Sequence, residues 1–118
     1  MTLHEHELTV SRTARYYTLG DRGPAVREVW MACHGYGQMA ARFARHFTAL
    51  EQPGRALVFP EAHSRFYVDA AGRELVGASW MTREHRQAEI RDYVAYLDAV
   101  CDAAVGSAQR DEIGRAHV

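Results

Sequence analysis

The stretch VWMACHGYGQMAARF, residues 29–43, limits what this chain can fold into more than any other. Val29, Trp30, Met31, Ala32 and Cys33 are apolar without alternation, the pattern of a strand covered on both faces. Gly35 and Gly37 break the run, and Met39, Phe43, Phe47 and Leu50 then recur at helical spacing. Arg42, Arg45 and Glu51 fall on the other side of that helix. A strand that turns on glycine into a helix aims backbone N–H groups and the positive helix end at one point. Something negative belongs there, either a bound phosphate or an oxyanion that exists only during a reaction.

The flanking sequence extends the same pattern. QPG ends the helix, and RALVFP, residues 55–60, reads as another buried strand closed by Pro60. Upstream, Leu8, Val10, Tyr16, Tyr17 and Leu19 in HELTVSRTARYYTLG predict one long bent strand or a hairpin pair at a sheet edge. The turn signal GDRGP stops it. Downstream, EAHSRFYVDAAGRELVGASWM reads as an irregular excursion holding a small hairpin around Gly72. Thr82 then reads as an N-cap, and Ile90, Tyr93, Leu97, Val100 and Ala104 give helical spacing over residues 83–105.

Strands alternating with helices predict the α/β class, with a mostly parallel sheet and flanking helices. In that arrangement residues 26–33 and 55–59 are parallel neighbours, and the helices over 39–50 and 83–105 point Phe43, Phe47, Tyr93 and Leu97 inward.

A chain of 118 residues holds one small domain and has no room for two. Its net charge of −1 gives no electrostatic case for nucleic acid or an anionic membrane. No apolar run approaches the ~20 residues of a spanning helix, and the start MTLHEHELTV has no signal-peptide pattern, so a cytoplasmic protein is expected. Cys33 and Cys101 share no metal-ligand spacing and read as two small buried thiols. His4 and His6 read as the wet face of an edge strand, and no metal site is expected.

Two readings of the glycine junction compete. Gly35-Tyr36-Gly37-Gln38-Met39-Ala40 satisfies the dinucleotide pattern G-x-G-x-x-A, with Glu61 downstream where a ribose-binding carboxylate would sit. Against it, β-structure precedes the motif, Tyr36 is bulky where a phosphate must approach, and Pro60 interrupts just before Glu61. The other reading is an esterase H-G-x-G loop, which contributes a backbone N–H to an oxyanion hole. Taken alone, His34 and Tyr36 serve equally well as packing and hydrogen-bonding groups that fix the loop. Phe66 and Trp80 alone read as core or lid packing.

Four segments in order decide between these readings: RYYTLG, VWMACHGYGQMAARFARHF, LVFPEAHSRFY and GASWMTREHRQAEIRDYVAYLDAV. Together they resemble the N-terminal half of bacterial α/β-hydrolases of the phospholipase/carboxylesterase-like serine hydrolase type, over residues 15–105. The resemblance implies that the Tyr36 N–H is half of an oxyanion hole, with its phenol at the pocket mouth. It implies that His34, Gly35, Gly37 and Gln38 support that loop, and that Phe66, Tyr67, Trp80 and Met81 contact the acyl part of a small-molecule or lipid ester. No cofactor and no metal are implied.

The chain departs from the family in lacking G-x-S-x-G. In the family the nucleophile, acid and histidine follow the helix that ends here near Val105. The expectation is therefore an N-terminal fragment, residues 1–111, inactive by itself although its parent is an ester hydrolase; a non-catalytic binding module is the competing class. The tail EIGRAHV, residues 112–118, back-translates to GAG ATC GGA AGA GCA CAC GTC, which resembles a sequencing-adapter oligonucleotide read in frame, and is expected to lie outside the fold.

Overall fold

A computed structural model describes residues 1–21, 23–70, 73–105 and 115–117. The elements are β1 (Tyr16–Gly20), β2 (Glu28–Met31), α1 (Ala40–Ala44), β3 (Arg55–Pro60), β4 (Ser64–Ala70), β5 (Arg73–Ser79), α2 (Arg86–Val105) and β6 (Arg115–His117). A 3-10 segment, Arg45–Leu50, continues α1.

The pairing corrects the expected α/β class with its mostly parallel sheet: the described residues are β-rich and mostly antiparallel, with two α-helices. β1, β3, β2 and β6 form one mixed sheet in that order, and β4 and β5 form a second sheet of their own. β2 runs parallel to β3, with Val29 opposite Ala56 and Met31 opposite Val58, so the expected parallel neighbours are present. The longest ladders, β1 with β3 and β4 with β5, are both antiparallel. Apolar runs record burial, not the direction of the partner strand, which is why β1 gave no sign of its orientation.

β2 is apolar on both sides because both sides are covered. Val29 and Met31 join Val26, Ala56 and Val58 against Val100, Cys101 and the half-buried Leu97 and Tyr96 of α2. Trp30 and Ala32 join Leu57 and Phe59 against Ala40, Ala44, Phe43 and Phe47. Phe43, Phe47 and Phe59 meet as a tilted and edge-on triad, with ring centroids 4.9–6.3 Å apart. Arg55 closes the other end of this face, its guanidinium 4.1 Å above the Trp30 ring and its Nε 2.7 Å from Glu28.

Several local expectations also change. Residues 2–15 form no strand or hairpin, are exposed, and pass beside α2 (Glu5 lies 3.7 Å from His85). The helix expected over residues 39–50 is α-helical only for Ala40–Ala44 and then tightens; neither part has a side-chain cap. The excursion after β3 is mostly hairpin, Ser64 opposite Ser79 through Ala70 opposite Arg73. Its turn around Gly72 lies outside the described residues, as do 106–114 and 118, but Arg115–His117 of the tail expected to lie outside the fold form β6, which pairs parallel with β2. Tyr93 packs on Trp80, centroid to centroid 5.2 Å, instead of joining either sheet cluster.

Phe59 is fully buried in the aromatic cluster that α1 packs against. Phe59→Ala is expected to cost about 3–5 kcal/mol, and Val94→Ala, at an exposed helix position, under about 0.5 kcal/mol. Urea midpoints of the two variants against the unmodified chain test this.

Candidate functional site

β2 does not stop at Met31: the Ala32 N–H still bonds to the Val58 carbonyl at 2.9 Å, which carries the chain to His34 beside the end of β3. His34 is 2% exposed. Its Nε2 accepts the Ala62 N–H at 3.0 Å, and its Nδ1 lies 2.8 Å from the Gly35 carbonyl. An amide can only donate and a carbonyl can only accept, so Nδ1 carries the hydrogen and the ring is the neutral tautomer. The His34 carbonyl in turn accepts the Trp80 indole N–H at 2.9 Å. One residue thereby ties the loop to the end of β3 and to the end of the hairpin.

The loop closes on itself and on β5. Gly35 N–H donates to the Gln38 side-chain oxygen at 2.6 Å, and Gln38 N–H to the Gly35 carbonyl at 3.2 Å. Gly37 N–H donates to the Ala78 carbonyl at 2.9 Å, and Ala78 N–H returns to the Gln38 carbonyl at 3.1 Å. Gly37 sits at φ 76°, which only glycine adopts cheaply. Gly77 is glycine for space: a Cβ there would collide with the Gly37 carbonyl and lie 2.8 Å from Val68 Cγ2. Of the N–H groups from Gly35 to Gln38, the Tyr36 N–H is the one with no acceptor among the described residues.

This geometry weighs against a phosphate cradle. Three of the four loop N–H groups are already bonded, and the α-helix behind them has five residues. Glu61, the ribose-binding candidate, is 4% exposed, with its Oε2 3.9 Å from Arg65 Nε and its carbonyl accepting the Tyr96 hydroxyl.

The structure divides the expected substrate-contact set. The Tyr36 side chain is exposed, and its ring lies 5.2 Å from that of Phe66. Tyr67 is the next residue on a strand, so it points to the opposite face, where it sits exposed across from Val76. Trp80 is half-buried, with its ring against His34, Tyr93 and Tyr96. Met81 is half-buried, and its carbonyl accepts the Ser79 hydroxyl at 3.0 Å. Thr82 does not cap α2 directly, because the helix starts at Arg86; instead its N–H and hydroxyl both reach Glu89 Oε1 at 3.2 Å.

A polar cluster behind the loop escaped the sequence reading. The Tyr96 hydroxyl lies 2.9 Å from the Glu61 carbonyl and 3.0 Å from that of Arg15, and His63 stacks on Tyr96 at 4.2 Å. Glu61 Oε1, His63 Nε2 and the Tyr93 hydroxyl are buried without a hydrogen-bond partner among the described residues. Burial pushes Tyr96 up to about 12 and also raises Tyr93, while burial and the charge of Arg12 lower His63 against the pull of Asp92. The available signal was the acid and imidazole of PEAH between two β-runs, with tyrosines three apart on the following helix.

No activated nucleophile emerges among the described residues. Burial raises the Cys33 thiol, so it stays protonated and weakly nucleophilic. The Ser79 hydroxyl is buried and spent on Met81, and Ser64 is exposed at the start of β4. Glu5, Glu7 and His85 bring their ligand atoms within 4.8 Å of one another, but all three are exposed, an arrangement common without an ion. Among the described residues no helix is long and apolar enough to cross a membrane. No protein-family model and no curated protein matches the chain.

His34→Ala leaves the buried Ala62 N–H unpaired, so a loss of about 1–3 kcal/mol is expected in denaturant unfolding; His34→Gln, which can place an oxygen near the Nε2 position, should recover part of it. The tyrosines set an alkaline limit. From pH 10.0 to about 12 an unfolded tyrosine ionises while folded Tyr96 keeps its proton, so the unfolded state binds fewer protons and stability falls as pH rises. Tyr96→Phe is expected to flatten that slope in a pH series of unfolding curves.

Proposed function

We propose that this chain supplies the oxyanion-hole side of a serine hydrolase that cleaves carboxylic esters or thioesters of small molecules or lipids. The observation that carries the reading is the Tyr36 N–H: its loop is fixed on both sides, its neighbours' donors are spent, and it alone is open. The position supports the reading too. The loop follows β2 and Glu61–Ala62 follow β3, so both lie at the carboxyl end of the parallel pair, side by side.

In this scheme a serine outside the described residues passes its hydroxyl proton to a histidine base, likewise outside them, and attacks the ester carbon, and the carbonyl oxygen gains the displaced electron pair. The Tyr36 N–H donates to that oxygen at about 2.7–3.1 Å, with a second N–H beside the nucleophile. His34 does not touch the substrate; it holds the peptide from which Tyr36 donates. Phe66, stacked by Tyr36, covers one side of the acyl group. On the side of β2 away from β3, Arg115–His117 pair as a parallel strand arriving after α2, and a strand in that place ends beside the loop, where the scheme puts the nucleophile. The scheme needs no metal and no cofactor.

Proline at position 36 removes the N–H, whereas alanine keeps it. In the parent hydrolase Tyr36→Pro is expected to lower kcat by about 10²–10³-fold with little change in KM, and Tyr36→Ala to lower kcat far less. Equal effects would place the role in the phenol and sink the oxyanion assignment. The 118-residue chain by itself is expected not to hydrolyse p-nitrophenyl acetate above background, and a parent that no fluorophosphonate labels would be a binding module instead.

A further inference from the structure

β1 is the outer strand of its sheet. β3 flanks one side, and no described residue pairs with the other. The hydrogen bonds at its two ends fix which groups face outward: Glu61 N–H donates to the Arg15 carbonyl at 3.0 Å, and Asp21 N–H to the Arg55 carbonyl at 3.1 Å. Antiparallel pairs alternate, so odd-numbered residues bond to β3, and the N–H and C=O groups of Tyr16, Thr18 and Gly20 face away from it. Natural edges are blunted by charges, prolines or bulges, and YYTLG has no charge and no proline.

We propose that this edge pairs antiparallel with the same edge of a second copy of the chain, about a two-fold axis through Thr18. In that register every outward-facing residue meets another: Thr18 meets its own copy, and Tyr16 meets the second copy's Gly20. Gly20 has no side chain, so a cross-strand tyrosine ring has room to lie over it. One position further out, Arg15 faces the second copy's Asp21, twice by symmetry. The Arg15 guanidinium has no ion-pair partner among the described residues, and Asp21 uses only Oδ2, on the Gly54 N–H at 2.7 Å. A slip of two residues separates these charges, and a slip of one misaligns the outward N–H and C=O groups. The charge match therefore selects one register among those the backbone permits. The product is a continuous sheet with the two β1 strands at its centre, an isologous contact that closes on itself.

Sedimentation equilibrium of the 118-residue chain is expected to give a mass near twice 13.3 kDa that falls on dilution. Thr18→Cys should form a covalent dimer on oxidation, because a hydrogen-bonded pair sets Cα atoms about 5.5 Å apart, within disulfide reach. The unmodified chain, whose Cys33 is half-buried and Cys101 buried, should not cross-link under the same conditions. Thr18→Pro removes an N–H that faces outward and leaves the bonds to β3 in place, so it should be monomeric with retained circular dichroism. If that variant fails to fold, the cysteine variant decides. A monomeric mass at every concentration, as residues 4–12 folding back over this edge would also give, overturns the proposal. So does a dimer that persists in Thr18→Pro and does not cross-link through Thr18→Cys.

Discussion

The ring of His34 is the joint on which the rest of the site hangs. It is almost fully buried, accepts the Ala62 N–H and donates to the Gly35 carbonyl, so its two nitrogens have different partners and only one tautomer serves both. The end of β3, the glycine loop and, through the carbonyl of the same residue, Trp80 are thereby held by one side chain and its peptide. A hydroxyl or carboxylate could not do this, since the position asks for a donor and an acceptor on opposite sides of one flat group. The imidazole here is better explained as architecture than as a proton carrier.

Around that joint the molecule is layered unevenly. The β2–β3 pair is the firm part: Leu57, Val58 and Phe59 are buried, with α2 on one face and the phenylalanine triad on the other. The hairpin β4–β5 stands apart from this sheet and touches it through the loop, by the paired hydrogen bonds between Ala78 and the Gly37–Gln38 segment. Its inner face meets the candidate site at Phe66 and Gly77, while Tyr67 and Val76 face solvent.

What the sequence disclosed and what it hid follow from one distinction. The parallel β2–β3 unit, the glycine turn and the two inward faces were legible because burial on both sides of a strand, and helical spacing after it, are written in the residue types themselves. The Met39–Leu50 stripe located Phe43 and Phe47 correctly, although the helix tightens after Ala44. Partnership was not legible. Nothing in YYTLG states that it runs antiparallel to β3, and the Ser64–Ala70 strand was passed over although Phe66, Val68 and Ala70 alternate with Arg65, Tyr67 and Asp69 along it. The half-buried cluster of Glu61, His63, Tyr93 and Tyr96 was hidden for a related reason: polar residues next to a turn read as wet until tertiary contacts close over them. The exposed residues 2–15 failed in the reverse direction, since alternation without a partner strand does not make a strand.

The crossing of Gly37 and Gly77 has a mechanical meaning. With no side chain between them, the two backbones meet as a rigid weld, not through a compressible pad of methyl groups. A molecule pressing on Phe66 therefore cannot tilt the hairpin without dragging Ala78, and with it the peptides on either side of Tyr36. The position of the hairpin and the aim of the Tyr36 N–H become one variable, so changes at Phe66 would also shift the loop. The outer face at Tyr67 and Val76, which takes no part in the weld, is free to change without that consequence.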